Sequence, residues 1–260
     1  MSGSIRFCLL GSGSKGNALF VASPGAKVLI DAGLSLKTVQ ERLAMAGESL
    51  DGVKAVFVTH EHSDHVSGLG PVARALGVPV YMTRETYANL PASVGTLPRV
   101  GLFDAGDEVV LDGLRLGSYS VSHDAADPVS FVVRSGGVKL GIASDLGHAS
   151  HLVKARLKGS HALVLEANHC PDMLFQGPYP AYLKQRIRSR HGHLSNLDMQ
   201  ALLAGLLHKE LRIVVLAHIS QENNSPSLAH SLACEALQCH PAEVFVALQD
   251  RPTRMFEVHG

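Results

Sequence analysis

The hexapeptide His60-Glu61-His62-Ser63-Asp64-His65 comes directly after the run Val56-Phe57-Val58-Thr59, where a buried strand would emerge, and it constrains this chain more than any other segment. Three imidazoles and a carboxylate suit zinc or a similar divalent ion. They lie too close in sequence to close on one ion without severe strain. His60 and His62 point the same way on an extended segment, whereas Asp64 and His65 turn away as the next helix begins. Two ions side by side, each offered two of these ligands, satisfy that geometry. The competing reading, a histidine-rich surface loop, suits one His better than four spaced ligand groups.

A chain of 260 residues, 46% of them hydrophobic, can bury a large core within one domain spanning 1–260. Its formal net charge of +0 excludes the strongly basic footprint of a protein that coats nucleic acid, and leaves room for a local basic strip. Cys8, Cys170, Cys234 and Cys239 form no C-x-x-C pair and read as free thiols of a reducing cytosol. No run reaches the roughly 20 apolar residues of a membrane span, and Gly11 to Ser14 interrupt any leader-like start, so a cytoplasmic location away from the membrane is expected.

Along the chain, Val28 to Ile30 ends at Asp31-Ala32-Gly33. Ser35 then caps a helix with Leu36, Val39 and Leu43 on one face, ending near Gly47. Ala55 to Val58 is a buried strand. Val66, Leu69, Val72 and Leu76 keep a helical period up to Gly77, and Val78 to Met82 is a strand. An Asp112-Gly113 turn joins Val109–Leu111 to Leu114–Val121, and Ser135-Gly136-Gly137 joins Phe131–Val133 to Val138–Ala143. Next come a strand Leu163–Glu166, a helix Asn196–His208 capped by Ser195, a strand Ile213–Ala217, a helix opening at Ser225-Pro226 and a strand Val244–Leu248. Hairpins mixed with strand–helix units imply an α+β fold. Of the layouts that pattern allows, two packed sheets with helices on their outer faces give a four-layer αβ/βα sandwich.

Three more ligand types stand just beyond apolar strands: His123 after Tyr119–Ser122, Asp145 after Gly141–Ser144, and His218 after Ile213–Ala217. A solitary His or Asp there is more often a capped turn, but strand ends are rigid platforms for function. Together with the hexapeptide and Asp31, these residues resemble the metallo-β-lactamase superfamily in its own order along the chain. That resemblance implies two divalent ions per chain, Zn or Mn. One takes His60, His62 and His123, the other Asp64, His65 and His218, with Asp145 bridging them and Asp31 supporting the ligand loops. On the bare sequence Asp31 is equally a turn-forming residue before Ala-Gly.

Two ions about 3.5–4 Å apart can hold a hydroxide between them, which fixes hydrolysis and leaves the substrate open. Gly192-His193-Leu194-Ser195-Asn196 resembles the His-Ser loop of tRNase Z-like phosphodiesterases, which implies that His193 contacts the scissile phosphate and assists the leaving group. Read alone, His193 is a surface residue beside a helix cap. Lys184, Arg186, Arg188 and Arg190 favour a polyanion, or are a solvated helix end. The segments 11–17, 60–65, 168–187, 192–196 and 218–226 together are similar to the WalJ (YycJ-like) branch of the superfamily, except that Cys170 stands where that branch carries an acidic residue. The resemblance implies a 5′-to-3′ exonuclease on DNA rather than RNA, catalysed by Asp64, Asp145 and His193. Homodimerisation rests on the same likeness. Ser12, Ser14 and Asn17, in a Gly/Ser loop that otherwise reads as a tight turn, are candidate substrate contacts with Ser195 and Asn223. Asn223 equally precedes the Ser225 cap. The rival readings are a small-molecule hydrolase of a cyclic phosphodiester, lactone or thioester, and a metal-binding regulatory module.

Overall fold

The computed structural model of the protein describes residues 3–260. The first half of the chain builds one sheet. Strands β1 (Ser4–Gly11), β2 (Ala18–Ala22) and β3 (Lys27–Ile30) run antiparallel, and helix α1 (Leu36–Met45) then carries the chain over to β4 (Val53–Phe57) beside β3. After the hexapeptide come α2 (Ser63–Val66), α3 (Leu69–Leu76), β5 (Pro79–Thr83), α4 (Arg84–Ala88) and β6 (Arg99–Phe103), with β3 to β6 all parallel. The second half repeats that plan. Hairpins link β7 (Glu108–Leu111), β8 (Leu114–Ser120), β9 (Val129–Ser135) and β10 (Val138–Ala143). Helix-linked parallel strands follow: α5 (His151–Leu157), β11 (Ala162–Glu166), α6 (Pro171–Gln176), α7 (Ala181–Ile187), α8 (Asn196–Ala204), β12 (Ile213–Ala217), α9 (Pro226–Leu237) and β13 (Glu243–Val246). Strand β14 (Phe256–His259) returns to pair with β1. The sheet orders are β14-β1-β2-β3-β4-β5-β6 and β13-β12-β11-β10-β9-β8-β7.

Alternation along each strand decides the layering. One set of side chains, including Phe7, Val21, Ile30 and Phe57 from the first sheet, meets Leu116, Phe131, Leu140 and Val164 from the second, so the sheets pack face to face. The opposite faces are equally apolar because helices cover them. Val39, Leu43 and Val72 lie on the first sheet, and Met199, Leu203 and Ala233 on the second. The expected four-layer αβ/βα sandwich is the observed fold.

Some boundaries differ from the sequence reading. The period from Val66 to Leu76 is broken into α2 and α3, because Pro71 has no N–H and its ring would strike the carbonyl of Ser67 in a continuous helix. The helix from Asn196 ends at Ala204 rather than His208, at Gly205, where helix propensity is lowest among non-proline residues. Strand β13 ends at Val246, two residues before Leu248. Helices α5, α6 and α7 were not expected, since six or seven residues hold fewer than two turns of pattern. Among the described residues, no helix is long and apolar enough to cross a membrane.

Candidate metal centre and active site

The parallel strands of both sheets deliver their C-terminal ends to one edge of the sandwich, the usual place for a site in such sheets. Three residues there turn the chain sharply: Asp31 after β3, Asp145 after β10 and His218 after β12 have φ of 62°, 57° and 55°. Left-handed backbone is costly for most side chains and least so for Asp, Asn and His. A short polar residue at each strand end therefore makes the turn and presents its side chain together.

The first sheet contributes the hexapeptide. His60, His62 and His123 bring ring nitrogens within 4.8 Å of one another, and His60, His65 and Asp145 form an overlapping group. His123 donates from Nδ1 to the Gly192 carbonyl at 3.1 Å, which leaves Nε2 for the cluster. Asp31 lies beneath it. Its Oδ2 is 2.8 Å from His65 Nδ1, and its two oxygens accept from the Thr59 N–H at 2.8 Å and the Thr59 hydroxyl at 2.9 Å. That contact fixes the His65 ring and turns Nε2 toward Asp64 Oδ2, 3.4 Å away, and Asp145 Oδ2, 3.5 Å away.

The second sheet contributes Asp145, Glu166, His193 and His218, whose donor atoms also lie within 4.8 Å of one another. His218 Nε2 stands 3.7 Å from Asp64 Oδ2, so Asp64, His65 and His218 adjoin across the seam between the sheets. Asp145 belongs to both halves, with Oδ2 toward His65 and Oδ1 3.1 Å from His218 Nδ1. All seven expected ligands are thus brought together.

Glu166 was missed by the sequence reading. It is fully buried at the end of β11, and its Oε1 accepts from His193 Nδ1 at 2.6 Å and lies 3.0 Å from His218 Nδ1. Its Oε2 takes the backbone N–H of Leu146 at 3.0 Å. In the sequence a carboxylate ends the apolar run Leu163-Val164-Leu165, the strand-end placement that Asp145 and His218 share, but that placement is too ordinary to mark a site by itself.

The candidate substrate contacts divide. Ser14 lies at the surface with its hydroxyl on Gln249, and Ser14 and His193 both line a cleft of about 410 Å³. Ser12 is buried and accepts the His218 N–H at 2.7 Å. Asn17 donates to Asp64 Oδ2 at 2.9 Å, so both sit inside the wall of the site rather than on its surface. Ser195 caps α8 through the Asp198 N–H. Asn223 is buried against Gly177, and neither polar atom of its side chain has a hydrogen-bond partner.

The electrostatics suit cations. Four carboxylates, Asp31, Asp64, Asp145 and Glu166, are packed among the six imidazoles of His60, His62, His65, His123, His193 and His218. Burial opposes charge on Asp145, but His218 and His65 beside it hold it well below the usual carboxylate range. Glu166 behaves alike: burial raises it, and His193 and His218 more than reverse the effect. Burial, reinforced by His65, drives His60 far below its ordinary value, so its ring is neutral with a lone pair to give. His60 Nε2 is buried with no hydrogen-bond partner at all. An orphaned imidazole nitrogen beside ionised carboxylates fits a divalent ion.

An αβ/βα sandwich with a histidine–carboxylate centre at its strand ends defines the class. The chain belongs to the metallo-β-lactamase superfamily, whose family model matches residues 11–184. It is 36% identical to the exodeoxyribonuclease YycJ of Bacillus anthracis over 90% of this chain and 89% of that protein. It is 32% identical to the exodeoxyribonuclease WalJ of Streptococcus pneumoniae serotype 2 over 86% and 85% of the two chains. Among solved structures, the metallo-β-lactamase fold protein YhfI from Bacillus subtilis superposes with a TM-score of 0.73 at 15% identity, covering 99% of each chain, a likeness of fold.

Proposed function

We propose that this chain is a metal-dependent nuclease that removes nucleotides from the 5′ end of DNA. The observation that carries the reading is identity above 30%, across nearly the whole length, to proteins named exodeoxyribonucleases. A reducing cytosol suits its four free cysteines.

His60, His62 and His123 would hold one divalent ion, zinc or manganese, and Asp64, His65 and His218 a second, with Asp145 between them. When bound, such ions supply Lewis acidity to water and to the phosphate. The residues of the chain do the rest. Lys15 and Arg186 line the cleft and provide positive charge for a phosphate backbone. Asp124 holds the Arg186 guanidinium in place. Glu166 accepts from His193 Nδ1 and so fixes which ring nitrogen remains free: Nε2, on a side chain that lines the cleft. In its protonated form His193 gives the Nε2 proton to the departing 3′ oxygen, which would otherwise leave as an unstabilised alkoxide.

The test is metal-reconstituted protein on end-labelled duplex DNA with and without a 5′ phosphate, alongside His193→Ala and Asp145→Ala. Stepwise loss of nucleotides from the 5′ end, abolished in both variants, is the expected result. Turnover of bis(p-nitrophenyl) phosphate with intact DNA indicates a small-molecule hydrolase instead, and full nuclease activity in both variants removes the assigned roles.

A further inference from the structure

Helix α7 separates two cavities. Leu183, Arg186 and Ile187 face the catalytic cleft, whereas Lys184, Gln185 and Arg188 line a second cavity of about 510 Å³ between α6 and α7. That volume falls within the roughly 300–1,000 Å³ of small-molecule sites. We propose that this second cavity is a nucleotide subsite, taking one unpaired base and its phosphate from the strand whose scissile bond lies in the cleft. The proposal rests on the nuclease reading of the neighbouring site.

Three features fit that occupant. The walls are apolar, formed by Pro171, Leu174 and Ala181. Phe175 stands at the edge with 77% of its surface exposed, on a helix whose only buried residue is Leu174. A phenyl ring so placed gives nothing to the core and presents a face on which a base can stack. The rim is cationic. Lys184 donates to the Phe175 carbonyl at 2.7 Å, tying α7 to α6, and Arg188 at the end of α7 has no carboxylate partner among the described residues. Arg186, two residues earlier and on the cleft side of the helix, is held by Asp124. An unpaired guanidinium beside an apolar, aromatic cavity matches a ligand that is planar at one end and anionic at the other.

Among these apolar walls one inner group, His169, is polar but uncharged. His169 lines the cavity, is 3% exposed, and its Nδ1 has no hydrogen-bond partner. Burial holds the ring down to about 4, so it is neutral at physiological pH. A neutral inner surface with a cationic rim places the base inside and the phosphate at the mouth. The shared helix supplies the geometry, since a strand leaving the cleft over α7 meets the cavity next.

The experiment measures binding of a 3′-fluorescein phosphorothioate decathymidylate to the metal-reconstituted full chain by anisotropy. The variants are Phe175→Ala and Arg188→Ala, with Leu152→Ala on α5 as a remote control. Circular dichroism and metal content confirm that each is folded and loaded. Loss of a stacking face should weaken binding about tenfold in Phe175→Ala. Arg188→Ala should weaken it similarly and flatten the slope of log Kd against log salt by about 0.7, while Leu152→Ala changes nothing. Affinities within twofold of wild type in both variants, or no binding by the wild type, overturn the subsite. Strand binding that depends on Phe175 and Arg188 without any cutting of the phosphodiester oligonucleotide keeps the subsite and removes the nuclease reading. Normal cutting with unaltered binding in both variants removes the subsite alone.

Discussion

The two sheets supply the same centre in different ways. The first offers four ligand groups within six consecutive residues, on the segment that leads from β4 into α2. The second offers single residues, His123, Asp145, Glu166 and His218, each at or just beyond the end of a different strand, with His193 from a loop before α8. A concentrated loop is legible in sequence and is positioned by its neighbours. Dispersed residues are individually weak signals, yet they stand on rigid strands and hold one another: Glu166 contacts both His193 and His218. Both sheets would therefore provide ligands, the first from one short segment and the second from separate strand ends that Glu166 ties together.

The sharpest test of that division is Asp145, the residue common to both halves. Asp145→Asn should bring nuclease activity to background and lower metal content, as read by DNA degradation and elemental analysis. A variant that keeps both ions and full rate breaks the comparison. His193→Ala should cost about a thousandfold in kcat with metal content unchanged. Concurrent metal loss would move His193 from chemistry to ligation. Glu166→Gln keeps shape and removes charge, and should cost about 10–100-fold in activity. An altered pH–rate profile with normal metal uptake at His60, His62 and His123 would mark a positioning residue of the second sheet only.

The smallest effect concerns stability. Burial lowers His169 from the ordinary 6.5 to about 4. The unfolded chain therefore takes up a proton at this ring before the folded one does, and stability falls as pH drops through that window. In metal-free protein the ring's share is at most about 3 kcal/mol. The gap between wild type and His169→Gln in urea midpoint should accordingly shift between pH 7 and pH 5. A constant gap would show that the ring is not held neutral.

What could be read in advance follows the same division. The hexapeptide, the Asp112-Gly113 hairpin and the Ser225-Pro226 helix start each carry their signal within a few residues. His123, Asp145 and His218 became legible only through the family pattern, because one polar residue after an apolar strand is ordinary. Glu166 was hidden by its own burial: it looked like the last residue of a strand, and only the fold shows two imidazoles converging on it. Ser12 and Asn17 read as surface groups of a glycine loop. The β1–β2 connection instead folds inward, where they brace His218 and Asp64. Helices α6 and α7 left no periodic trace, so the second cavity could not be anticipated.

Gly33 sets the limit on what this centre tolerates. A methyl group there would fall 1.7 Å from the Asp64 carbonyl oxygen, and the Asn17 N–H already reaches that oxygen at 2.7 Å. Position 33 is thus a spacer of no thickness between the loop after β3 and the loop that bears the histidines. Even alanine would act as a wedge, prising the imidazoles away from Asp31, so the reach of every ligand on the first sheet is gauged by a single hydrogen atom.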